Sequence, residues 1–94
     1  MSTQEDLSCV CKELPQVDFS TFVLSMASTA LVHLGEVPEP ESGVVRTDLI
    51  AAKQTIEILC MLQCKTQGNL TDTEARLLKD LLYELRLKYV QRAG

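Results

Sequence analysis

The sequence predicts an all-α protein of three helices, and three observations carry that prediction. Apolar residues recur at spacings of three and four along three separate stretches, with no strand-like alternation and no internal repeat. Two stretches open on strong helix-capping residues, and all three are bounded by Gly, Pro or Asn punctuation. The chain is also short: 94 residues, 46% hydrophobic and 23% charged, which suits one domain with a thin core. A chain of this size buries only roughly 60–65% of its extended surface. The expected fold is an N-terminal helix packed on a C-terminal antiparallel helical hairpin, with the core completed by a dimer.

Residues 1–13 lack periodicity and read as a flexible tail with net charge −2 from Glu5, Asp6, Lys12 and Glu13. Residues 14–94 form the helical domain. Asp18 is placed to accept from the free N–H groups of a first turn, and its charge suits the positive end of the helix dipole. The first helix then spans about 19–34 and stops at Gly35, a residue suited to a left-handed C-cap. Phe19, Phe22, Val23, Met26, Ala30 and Leu34 make its apolar face. Its other face is small and uncharged: Thr21, Ser25, Ser28 and Val32 follow a 4-3-4 spacing, with Thr29 beside them.

Two prolines and a Ser-Gly pair make 35–47 a loop, acidic through Glu36, Glu39 and Glu41 and expected to be mobile and solvated. The second helix is expected over about 49–67. Leu49, Ala52, Ile56, Leu59 and Cys60 share its apolar face, with Ala51, Ile58 and Leu62 beside them. That arc exceeds half the wheel, wide for a surface helix.

The third helix, about 72–91, has the clearest start signal. Thr71-Asp-Thr-Glu74 reads as a capping box, in which the Thr71 hydroxyl and the Glu74 carboxylate each accept a backbone N–H from the other residue. Gly68-Asn69 before it makes the reversal that closes the hairpin. Ala75, Leu78, Leu81, Leu82, Leu85 and Tyr89 line one face, and Tyr83, Leu87 and Val90 form a second stripe on another side.

Composition excludes several function classes. Nine Lys and Arg against 13 Asp and Glu give a net charge of −4, with only four aromatics and no Trp. Neither a phosphate track nor a stacking platform is present, so nucleic acid is not an expected partner. The uncharged stretch 19–34 has five Ser or Thr and is shorter than the roughly 20 apolar residues a membrane span needs. The acidic opening Met1-Ser-Thr-Gln-Glu-Asp-Leu7 does not read as a secretory signal. A cytoplasmic location follows, in which thiols stay reduced.

Two kinds of site remain to be weighed. The small stripe Thr21, Ser25, Ser28 and Val32, with the aliphatic stripe Tyr83, Leu87 and Val90, reads as a self-association seam. The bland alternative is that the first helix is central and covered on both sides by the other two. The competing chemistry is a thiol or metal site using Cys60 and Cys64 with Cys9 and Cys11. Their C-x₃-C and C-x-C spacings fit the usual zinc patterns poorly, and Cys60 falls at the rim of an apolar face. His33, the only imidazole, suits the negative end of the first helix and lacks a recognisable nucleophile partner. No phosphate loop or nucleophile elbow occurs. No cofactor and no catalytic residue is expected, and the favoured function is a non-enzymatic interaction module acting as a homodimer, with an unidentified protein as a second candidate partner at the same surface.

A family resemblance rests on specific strings. These are Val17-Asp-Phe-Ser-Thr-Phe-Val-Leu-Ser25, Ala30-Leu-Val-His-Leu-Gly-Glu-Val-Pro38 and Ala52-Lys-Gln-Thr-Ile56. Met61-Leu62, Lys65-Thr-Gln-Gly-Asn-Leu-Thr71 and Leu81-Leu-Tyr-Glu-Leu-Arg86 complete the set. From Leu14 to Val90, about four fifths of the chain, the sequence resembles a bacterial family catalogued as domain of unknown function 1844. The resemblance implies a small, mainly helical bacterial protein and implies no activity. The four cysteines are not part of that pattern.

Overall fold

A computed structural model describes residues 17–94. The expected tail, with Cys9 and Cys11, lies outside the described residues. Three helices follow in order: α1 (Phe19–His33), α2 (Leu49–Lys65) and α3 (Asp72–Ala93). No strand occurs among the described residues.

Local chemistry sets the helix ends. The Asp18 carboxylate accepts from the Thr21 N–H at 2.7 Å and caps α1. That backbone hydrogen bond holds the Asp18 carboxyl below the ordinary aspartate range, since an N–H donor favours the charged form. At the other end Gly35 takes φ +77°. Its N–H donates to the Val32 carbonyl and the Glu36 N–H to the Leu31 carbonyl, each at 3.0 Å. This paired pattern satisfies the last carbonyls of the helix and needs a left-handed residue at position 35. Helix α1 therefore ends one residue before the expected limit, with Leu34 as its C-cap.

Asp48 caps α2 by accepting from the Ala51 N–H at 3.1 Å. Helix α2 stops at Lys65, two residues short of expectation, where the Thr66 hydroxyl donates back to the Leu62 carbonyl at 2.6 Å. Gly68 turns the chain with φ +85°. Both arms of the capping box are present: Glu74 N–H to Thr71 Oγ1 at 3.1 Å, and Thr71 N–H to Glu74 Oε1 at 2.9 Å.

The three helices pack pairwise around one core. Val23, Ala27, Ala30 and Leu34 meet Ala52, Ile56 and Leu59 of α2 and Leu78, Leu82 and Leu85 of α3. Alanines at 27, 30 and 52 allow the helix axes to approach closely, since interaxial distance follows the side chains at the contact. Thr55 is the one buried polar residue among those described, and its hydroxyl is satisfied by donating to the Ala51 carbonyl at 3.0 Å.

Four sequence expectations change. Phe22 is 41% exposed rather than central to the α1 core face, and Ala27 takes that role. Ala75 and Ile58 are exposed. The loop is folded rather than free. The Glu39 N–H donates to the Val44 carbonyl at 2.9 Å, and the Gly43 N–H to the Glu39 carbonyl at 2.8 Å. The Ser42 hydroxyl donates to Glu39 Oε1 at 2.7 Å and accepts from the Val44 N–H at 3.2 Å. The Asp48 N–H then donates to the His33 carbonyl at 2.7 Å, which ties the start of α2 to the end of α1.

Candidate interaction surfaces

On α1 the outer line runs directly opposite the core line. Thr21, Ser25 and Ser28 are exposed and Val32 is half-buried. The Thr29 hydroxyl turns back to the Ser25 carbonyl at 3.1 Å, so part of this face satisfies its own polar groups. The bland alternative of a central α1 covered on both sides does not describe the structure: one face of α1 is packed and the opposite face is open. Phe22 and Leu24 flank that open face and are themselves exposed.

On α3 the stripe expected from sequence lies outside the core. Tyr83 is 67% exposed, Val90 65% and Leu87 45%. Spacings of four and three put them on one line, and Leu78, Leu82 and Leu85 point the other way. The α1 line and the α3 line each face away from the shared core, so the structure places them on different sides of the bundle.

A third apolar surface escaped the sequence reading. On α2, Ile50 is 75% exposed, and Ile58 and Met61 are about half as buried as they could be. They share a face at separations of eight and three residues. The signal was present in the spacing, but an apolar arc wider than half the wheel does not say which half is covered.

Between α2 and α3 lies a groove of about 310 Å³ whose apolar lining is Ile56, Tyr89 and the exposed Val90. Lys53, Glu57 and Arg86 bring charge to the lining. Cys60 also lines it, half-buried, and accepts a hydrogen bond from the Arg86 guanidinium at its Sγ. Cys64 is exposed, and both thiols are free. Among the described residues no three His, Cys, Asp or Glu side chains converge as a metal site would require.

His33 is half-buried at the end of α1 beside a cleft of about 620 Å³ shared with Glu39, Arg46 and Asp48. Both carboxylates are committed, Asp48 to the α2 N-terminus and Glu39 to Ser42 and, at 4.0 Å, to Arg46. Glu36 is tied as well. Its carboxylate lies 3.7 Å from Lys88 Nζ and 3.2 Å from Arg92 Nη2, and Arg92 also donates to the Gly35 carbonyl at 3.5 Å. These contacts fasten the end of α3 to the loop after α1. Sequence reading missed them because the partners lie more than fifty positions apart. No helix among the described residues is long and apolar enough to cross a membrane.

A family model described as domain of unknown function (DUF1844) matches residues 16–91, about four fifths of the chain. The chain belongs to this family. No curated protein and no solved structure matches it. The DUF1844 match takes in α1, α2, both connections and α3 through Gln91, and begins one residue before the described structure. It leaves Cys9 and Cys11 outside and takes in Cys60 and Cys64.

Proposed function

We propose that this DUF1844 protein is a non-enzymatic self-association module that works as a homodimer in the bacterial cytoplasm. The observation that carries the proposal is the exposed line Tyr83, Leu87 and Val90 on the outside of α3. Fully burying an aromatic or branched aliphatic side chain stabilises by roughly 1.5–3 kcal/mol, well above the 0–1 kcal/mol of a surface ion pair. Scattered single hydrophobics are ordinary on a protein surface, whereas a contiguous line marks a contact. The favoured contact residues are Tyr83, Leu87 and Val90 on α3, and the α1 line Thr21, Ser25, Ser28 and Val32 is the alternative seam.

Absolute molar mass by light scattering over a dilution series, in reductant, tests the proposal. The expected mass is twice the 10.4 kDa of one chain, falling toward one chain on dilution. A mass of one chain at every concentration refutes it. The same series with chelator separates the thiol or metal class. A dimer that dissolves in chelator, or in the Cys60→Ser, Cys64→Ser variant, would transfer the function to those cysteines.

A further inference from the structure

Self-association needs a seat for the second copy, and area shows that one helix alone is too small a seat. A helix rises 1.5 Å per residue and is about 10 Å across. The 15 residues of α1 therefore offer a strip of roughly 200 Å². Helices α2 and α3 side by side offer roughly 500 Å² along the 17-residue length of α2. Two copies sharing the α1 strip would cover about 400 Å², in the range of adventitious contacts. Two copies sharing the hairpin face would cover about 1,000 Å², the lower limit for a specific interface.

Any face that two helices share reaches that area, and the α2–α3 face also carries an apolar groove. The groove at its centre is lined only by α2 and α3. Beside the groove stands a ridge. Val90 lies at the groove mouth, and Leu87 and Tyr83 continue its line one and two turns back. The groove lining carries both signs, Lys53 and Arg86 against Glu57.

Ridge beside groove, with mixed charge in the lining, is the self-complementary arrangement that a twofold contact requires. Resting on the self-association reading, we infer that the second copy seats on the open face of the α2–α3 hairpin. The Tyr83–Leu87 ridge of each copy enters the α2–α3 groove of the other. Four helices then form the shared core, with α1 of each copy on the outside. Tyr83 is the central anchor, an aromatic with two side-chain torsions and a polar tip that suits an interface. The half-buried Cys60 thiol lies beneath this contact.

The experiment compares Tyr83→Glu, Leu87→Lys and Ser25→Glu by light scattering, with helix content checked by circular dichroism. All three positions are exposed in the single chain, so each variant should keep its fold. Tyr83→Glu and Leu87→Lys should each weaken the dimer at least about thirtyfold, the scale of a central interface residue. Ser25→Glu should leave it unchanged. If Ser25→Glu dissociates the dimer and Tyr83→Glu does not, the seam lies on α1 and this inference falls, while the self-association reading survives. A wild type that stays at one chain mass overturns both. As an independent measurement, the rate of Cys60 alkylation by a maleimide, mapped by peptide mass, should fall at least tenfold between dilute and concentrated wild type. A rate that ignores concentration, in protein that is dimeric by mass, overturns the hairpin seam.

Discussion

Gly35→Ala is the substitution for which the structure specifies the most. Position 35 holds φ +77°, and a Cβ built there would lie 2.5 Å from Thr47 Oγ1. Two costs follow. A non-glycine residue in the left-handed region loses roughly 1–2 kcal/mol. The Thr47 side chain must also leave its position, at roughly 0.5–1.5 kcal/mol for an off-rotamer torsion. Alanine recovers about 0.4–1 kcal/mol by stiffening the unfolded chain. The net loss is about 2 kcal/mol, a sizeable part of the roughly 4–12 kcal/mol expected for a domain of this size. With a urea slope near 1 kcal/mol/M, the unfolding midpoint should fall by about 2 M. Chain concentration must be matched between samples, because association shifts the apparent stability. In the Thr47→Ala background the same change should cost about 1 kcal/mol less, leaving the backbone part. A Gly35→Ala midpoint within about 0.3 M of wild type would refute both the left-handed turn and the close approach of Thr47.

Three further outcomes follow from the same contacts. Leu82→Ala, at the centre of the α3 core face, should lose about 2–5 kcal/mol in urea unfolding and leave the helix caps intact. Asp18 carries a lowered carboxyl pKa, so its stabilisation is complete above the unfolded aspartate value of about 3.9 and is lost as pH falls through the lower folded value. The stability gap between wild type and Asp18→Ala should therefore be constant near neutrality and close on acidification; a gap unchanged down to pH 2 would contradict the cap. Glu36→Gln should cost no more than about 1 kcal/mol overall, yet speed amide exchange in the last turn of α3, where Lys88 and Arg92 lose their anchor. Equal exchange in both proteins would remove Glu36 as the tie.

What could be read from sequence was local. Asp18, Gly35 and the Thr71–Glu74 pair act within four residues of themselves, so their chemistry is written in adjacent letters. The α3 core face was legible too, because charged residues fill most of its other positions. The wheel misled where both sides of a helix are apolar. Phe22 outranked Ala27 by hydrophobicity, yet close helix packing favours the smaller side chain. Ile58 reads as a flank of the α2 core face, yet it is exposed and Thr55 is buried, its hydroxyl satisfied by its own helix. Glu36 read as solvated because nothing near it in sequence hints at Lys88 and Arg92. The α3 stripe was visible as an excess of apolar residues. Its place beside the α2–α3 groove depends on how the hairpin closes, and that is a tertiary fact.

The chain leaves the bundle after Gly35 and returns at Asp48, whose N–H bonds the His33 carbonyl. Everything between is an excursion whose two feet stand together. Its tip at 40–43 is exposed. The length of that excursion is thus uncoupled from the geometry of the helices. A tag, a fluorophore peptide or an additional recognition element spliced at the tip would lengthen the detour without moving the feet, at a closure cost of only about 0.6 kcal/mol for each doubling. The segment is a natural insertion port.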